Sequence, residues 1–162
     1  MKRIIFTVSL FLLVVGTYAN DKQPGVYEDI DREISYKKMD GIWKGFGTHK
    51  SSLGTYKNAP VQISLFQNSS SLTSEICWKI NRNGYNINLC SGAEMNIKNQ
   101  NQLWLQDTFW GEIMDNYIHI NFSGIIEETI KLNDDGTLNY YYKTFEQPSE
   151  GIECEAINLT RF

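Results

Sequence analysis

The sequence predicts an all-β fold: one antiparallel up-and-down barrel of about eight to ten strands, preceded by a short N-terminal helix. Three observations predict it. Short alternating apolar runs follow one another from residue 43 to the C-terminus, and Asn, Gly, Asp and Pro clusters separate them. No linker or repeat divides the chain. Its 162 residues are 41% hydrophobic, 13% aromatic and 21% charged, which suits a single core rather than a disordered or fibrous chain.

The first 19 residues stand outside that fold. Lys2-Arg3 precede a twelve-residue apolar run, Ile4 to Val15, and Thr17 and Ala19 supply small residues before a polar, Pro-containing stretch. This is the layout of a secretory signal peptide, and the run is shorter than the roughly 20 residues of a membrane span. The chain is therefore expected to be exported, periplasmic or extracellular, with no stable membrane insertion after cleavage. Removing 19 residues that carry two basic and no acidic side chains leaves 143 residues with a net charge of −6. Residues 20–40 form an N-terminal arm. Within it Tyr27, Ile30 and Ile34 share one helical face over residues 26–38, with acids early and Lys37-Lys38 late, as the helix dipole favours.

Residues 41–162 make the barrel domain. Trp43 to Thr48 and Val61 to Phe66 read as its first two strands. The segment from Leu72 to Ser91 fixes its own register. Asn83-Gly84 tolerates the positive φ angles of a type I′ turn, so Arg82 faces Tyr85, Ile80 faces Ile87 and Trp78 faces Leu89. The other face pairs Asn81 with Asn86, Lys79 with Asn88 and Cys77 with Cys90. Counting out from the turn, the cysteines fall on a non-hydrogen-bonded pair, where Cα atoms approach to about 4.5 Å. A Cys77–Cys90 disulfide is predicted, leaving Cys154 as a buried thiol, an intermolecular partner or the mate of one of the others.

Met95 to Ile97 and Gln102 to Asp107 read as a further hairpin, and Phe109-Trp110-Gly111 as an aromatic loop. Tyr117 to Phe122, Ile126 to Leu132, Leu138 to Phe145 and Ile152 to Leu159 complete the set. A three-residue loop with Gly136 in the left-handed region pairs Leu132 with Leu138 and Ile130 with Tyr140.

Gly41-Ile42-Trp43 opens the first strand and Arg161 closes the last. This layout over residues 41–161 resembles the lipocalin and wider calycin families. The resemblance implies that Trp43 plugs the closed end of the barrel and that the Arg161 guanidinium stacks on its ring as a cation–π contact. The strand count fits the ten-stranded fatty-acid-binding branch about as well as the eight-stranded one.

The chemistry on offer is that of binding. With 15 basic against 19 acidic residues and no basic stripe, nucleic acid is not an expected partner. Two histidines and three cysteines give no metal motif, no cofactor is expected, and no catalytic set stands out. His49 and His119 read as surface groups. Glu127-Glu128 point to opposite faces of one strand, so they do not converge on a substrate. Trp78, Trp104, Tyr140 and Tyr142 are candidates to line a cavity. Phe109 and Trp110 are candidates for a mouth or a protein interface. The resulting expectation is a barrel that binds a small, largely apolar molecule. The alternative is a protein-binding barrel, an inhibitor, immunity or adhesion module, that acts through its aromatic loop.

Overall fold

The computed structural model describes residues 37–145 and 151–162. The signal segment and nearly all of the expected helix over residues 26–38 lie outside the described residues. A single 3-10 turn, Lys37–Met39, leads into ten strands. These are β1 Gly41–Ser51, β2 Gly54–Gln67, β3 Ser71–Arg82, β4 Tyr85–Lys98, β5 Gln102–Leu105, β6 Thr108–Met114, β7 Tyr117–Phe122, β8 Ile126–Leu132, β9 Leu138–Thr144 and β10 Glu153–Arg161. Each pairs antiparallel with its sequence neighbours, and β10 returns to β1, closing the barrel. The fold is all-β, with no α-helix among the described residues.

The hairpin arithmetic holds throughout β3 and β4. Asn83 and Gly84 both take positive φ, 53° and 82°. Arg82 faces Tyr85, Trp78 faces Leu89, and Cys77 faces Cys90. The Cys77–Cys90 disulfide is formed, its Cα atoms 4.1 Å apart. The β8–β9 turn also follows the expected pairing, with Leu132 opposite Leu138 and Gly136 at φ 81°.

Several segments differ from expectation: β1 runs on to Ser51 and β2 already begins at Gly54, so the two form one long hairpin. Residues 85–98 are one strand rather than the two expected, Tyr85 to Ser91 and Met95 to Ile97, because β4 stays paired with β3 from Tyr85 to Asn96. Phe109-Trp110-Gly111 is not a loop but part of β6. Leu103 faces Gly111 while Trp104 faces Phe109, so Trp110 is an extra residue at a bulge. A bulge breaks the two-residue alternation by which strands are recognised, and Gly111 weakens the pattern further. Gly111 is there for room: a Cβ would lie 2.1 Å from the His119 carbonyl oxygen of β7.

Because the chain runs up and down, β1, β3, β5, β7 and β9 all end at one end of the barrel, here called the upper end. The lower end is packed. Trp43, Leu65, Leu103, Ile113, Ile118, Ile130, Leu138 and Leu159 are all at most 1% exposed. Burying a Leu or Ile side chain stabilises by about 1.5–3 kcal/mol, so this layer is a large apolar contribution to the fold. Trp43 donates its indole N–H to the Met39 carbonyl at 2.8 Å. The Arg161 guanidinium lies over its ring, 4.8 Å from the centroid, and donates to the Lys38 carbonyl. The pair expected from the Gly-x-Trp layout is therefore present, and it ties the 3-10 turn to both ends of the barrel domain.

Candidate functional site

The upper half of the interior is built differently. Aromatic and polar side chains join the aliphatic ones there; His49, Trp78, Tyr140 and Cys154 are buried, and Tyr56, Glu128 and Tyr142 are half-buried. Their positions follow from strand parity. On β9, Leu138, Tyr140 and Tyr142 share a face, and Leu138 is fully buried. Tyr142 faces Glu128 on β8 and Cys154 on β10, and Cys154 faces His49 on β1. The rings form a connected arc: His49 lies 5.7 Å from Trp78 and 6.3 Å from Tyr56, and Trp78 lies 6.4 Å from Tyr140. Across the interior, Trp110 stacks on Phe122 at 4.3 Å.

The sequence-derived candidates separate accordingly. Trp78 and Tyr140 are buried in the interior and Tyr142 is half-buried there. Trp104 lies on the outer face: its neighbour Leu103 points in, its ring meets exposed Phe109 edge-on at 5.8 Å, and Lys98 Nζ sits 4.5 Å from its centroid. It is an outer-wall residue rather than a cavity one. Phe109 and Trp110 part company at the bulge, Phe109 facing out and Trp110 packing against the core.

Two polar residues reverse or extend the expectation. His49 is not on the surface just past β1. It lies within that strand, shares the parity of Trp43 and is 4% exposed. Its Nδ1 is sealed and has no hydrogen-bond partner. Burial lowers its pKa, its own backbone partly opposing, so the ring is neutral near pH 7. Glu128 points inward between Ile120 and Tyr142. Its Oε1 is likewise sealed and unpartnered. Burial pushes its carboxyl up to about 7, because the charged form is left without solvent. The signal was in the spacing: Ile126, Glu128, Ile130 and Leu132 share one face, and only Glu128 is charged.

The remaining titratable groups follow the same logic. Burial, and then the Glu128 charge, raise the Tyr140 hydroxyl well above its ordinary range. Cys154 is a buried free thiol, and burial raises it to about 12. His119 is on the outer face, as expected, with its Nδ1 3.3 Å from Thr129 Oγ1. Among the described residues no group of three or more His, Cys, Asp or Glu side chains is placed to hold a metal ion.

The wall is interrupted around the β3–β4 hairpin. β2 pairs with β3 only from Val61 to Gln67, and β4 pairs with β5 only from Asn96 to Lys98. Above those ladders the hairpin has no strand on either side. A depression between its first strand and upper β2 is lined by Tyr56, Asn58, Ala59, Ile80 and Asn81.

No protein-family model matches this chain, and no curated protein matches it.

Proposed function

We propose that this chain is an exported, calycin-like barrel that binds a small, largely apolar molecule in the upper half of its interior, without catalysing a reaction. The observation that carries the reading is the contrast between the two halves. The lower half is filled by fully buried Leu, Ile and Trp side chains, while the upper half gathers buried His49, Trp78 and Tyr140 and half-buried Tyr56 and Tyr142 around two unpartnered polar atoms. Binding sites join apolar linings to a few placed polar groups in this way. The Trp43–Arg161 stack supports the calycin likeness. The segment before residue 20 and the cross-strand disulfide support export.

Native mass spectrometry of the mature protein from its own host, beside a denatured control, tests this. A small-molecule adduct lost on denaturation is the expected result. A bare mass of the 143-residue chain, lighter by two hydrogens for one disulfide, would count against it. One observation favours a second reading, a protein-binding barrel. Trp104, Phe109 and Lys98 form an aromatic and basic patch on the outer wall, with Phe109 45% exposed. Exposed aromatics of this kind are enriched at interfaces. A pull-down with a Phe109→Ala control would test that reading.

A further inference from the structure

We propose that the molecule held in the upper interior is a small organic cation, an amine carried on an apolar or aromatic body, and that Glu128 is its counter-ion. This deepens the ligand-binding reading and rests on it.

Glu128 faces the interior from the middle of β8, flanked by Ile120 and Tyr142. Among the described residues, no Lys or Arg accompanies it at that level. Arg161 is committed to Trp43 at the closed end, and Arg82 stands exposed at the tip of the β3–β4 hairpin. His49, the other inward ionisable side chain able to carry positive charge, is held neutral by burial. Glu128 thus brings a negative charge to an interior that supplies no cation, and one of its oxygens has no partner. A buried carboxylate in that position is costly unless something pairs with it.

The surroundings favour a cation as that partner. Tyr142 is directly across the β8–β9 ladder, and Phe122, stacked on Trp110, is the next inward residue along β7 from Ile120. Aromatic faces attract ammonium groups, most strongly where water is excluded. The same rings bury the apolar remainder of the ligand. A carboxylate ligand would instead meet Glu128 as a like charge. A neutral ligand would satisfy Oε1 only while it offers a donor, and would leave the charge unpaired.

The titratable groups that face Glu128 are Tyr140 and Tyr142 from β9, Cys154 from β10 and His49 from β1. β7 presents only Ile120 and Phe122. Burial holds the first of these, the Tyr140 hydroxyl, and the Cys154 thiol protonated near neutrality. Glu128 is then the group whose ionisation near pH 7 governs amine affinity. An alkylamine stays charged throughout that range.

The test uses three probes of one shape on the mature, disulfide-bonded protein: 2-phenylethylamine, 2-phenylethanol and 3-phenylpropionate. Affinities are measured by calorimetry and tryptophan fluorescence at pH 5.5, 7 and 8. At pH 8 the amine should bind at least roughly tenfold more tightly than the alcohol, the scale of one hydrogen bond to a charged group. Its affinity should fall towards pH 5.5 while that of the alcohol stays level. Glu128→Gln should abolish the amine preference with the circular dichroism spectrum unchanged. If that variant does not fold, the pH profile of the unmodified protein decides alone. Equal binding of amine and alcohol, or tighter binding of the propionate, would overturn the cation proposal and leave the ligand-binding reading standing. Binding of none of the three at millimolar concentration would overturn both.

Discussion

Replacing Glu128 by Gln should make the protein more stable in alkaline solution and should do little in acid. The carboxyl moves from its ordinary value of 4.5 up to about 7 because burial disfavours its charge. Between those two values the folded protein keeps a proton that the unfolded chain has released. Stability must therefore fall as pH rises through that window, by about 1.4 kcal/mol per pH unit, and level off above about pH 7. The whole window amounts to a ceiling of about 3 kcal/mol. Local relaxation of the folded protein around the charge offsets part of this, so about 1–3 kcal/mol is expected. Gln carries no charge to desolvate. Its own packing cost is present at every pH, so the change in the stability difference between about pH 4 and pH 8 isolates the charge. Urea denaturation of both proteins, followed by tryptophan fluorescence, gives that difference directly. A difference that stays constant across the range, or that moves in favour of Glu at pH 8, would refute the placement of this carboxylate in a dry interior.

Three further outcomes follow from the packing. Reducing the Cys77–Cys90 bond, or replacing both residues with Ser, should lower stability by about 3 kcal/mol, as expected for a loop of this length, measured by the shift of the urea midpoint. Gly47→Ala should cost about 1–3 kcal/mol or more, because its Cβ would lie 2.2 Å from the Glu155 carbonyl oxygen and 2.8 Å from the Ala156 Cβ, a wild-type-like melting temperature being the contrary result. Cys154, 3% exposed and with its thiol raised to about 12, should not react with an aromatic disulfide reagent at pH 8 until the protein is denatured, when one equivalent should appear.

Much of this architecture was legible because the barrel is built from local rules. A two-residue Asn-Gly turn dictates the β3–β4 register, and that register alone pairs the cysteines. β7 and β8 were found residue for residue because their alternation is unbroken. β6 was hidden because a bulge at Trp110 and a glycine at 111 interrupt the period that marks a strand. The site was partly legible. Tyr140 and Tyr142 follow from Leu138 by parity, and Trp78 follows from the hairpin. His49 escaped because β1 extends to Ser51, three residues beyond its last alternating position in the sequence. Glu128 is hard to read because Glu127 beside it makes an adjacent acidic pair, which masks a single charge in an otherwise apolar row. Trp104 was misplaced because an aromatic side chain fits either face of a wall strand, and only its pairing with Phe109 shows which.

The cross-link between Cys77 and Cys90 sits at a telling height. It joins the hairpin one residue below Trp78, where the ladder to β2 gives out at Val61, and the ladder to β5 ends well below it. Beyond that point, neighbouring strands no longer resist sliding. A slip of one residue would turn Ile80, Ile87 and Leu89 outward and bring asparagines in. The sulfur bridge is thus a rivet at the root of a two-stranded tongue. The outline of the barrel's mouth becomes a property of the oxidised chain, set only once the two thiols have been joined.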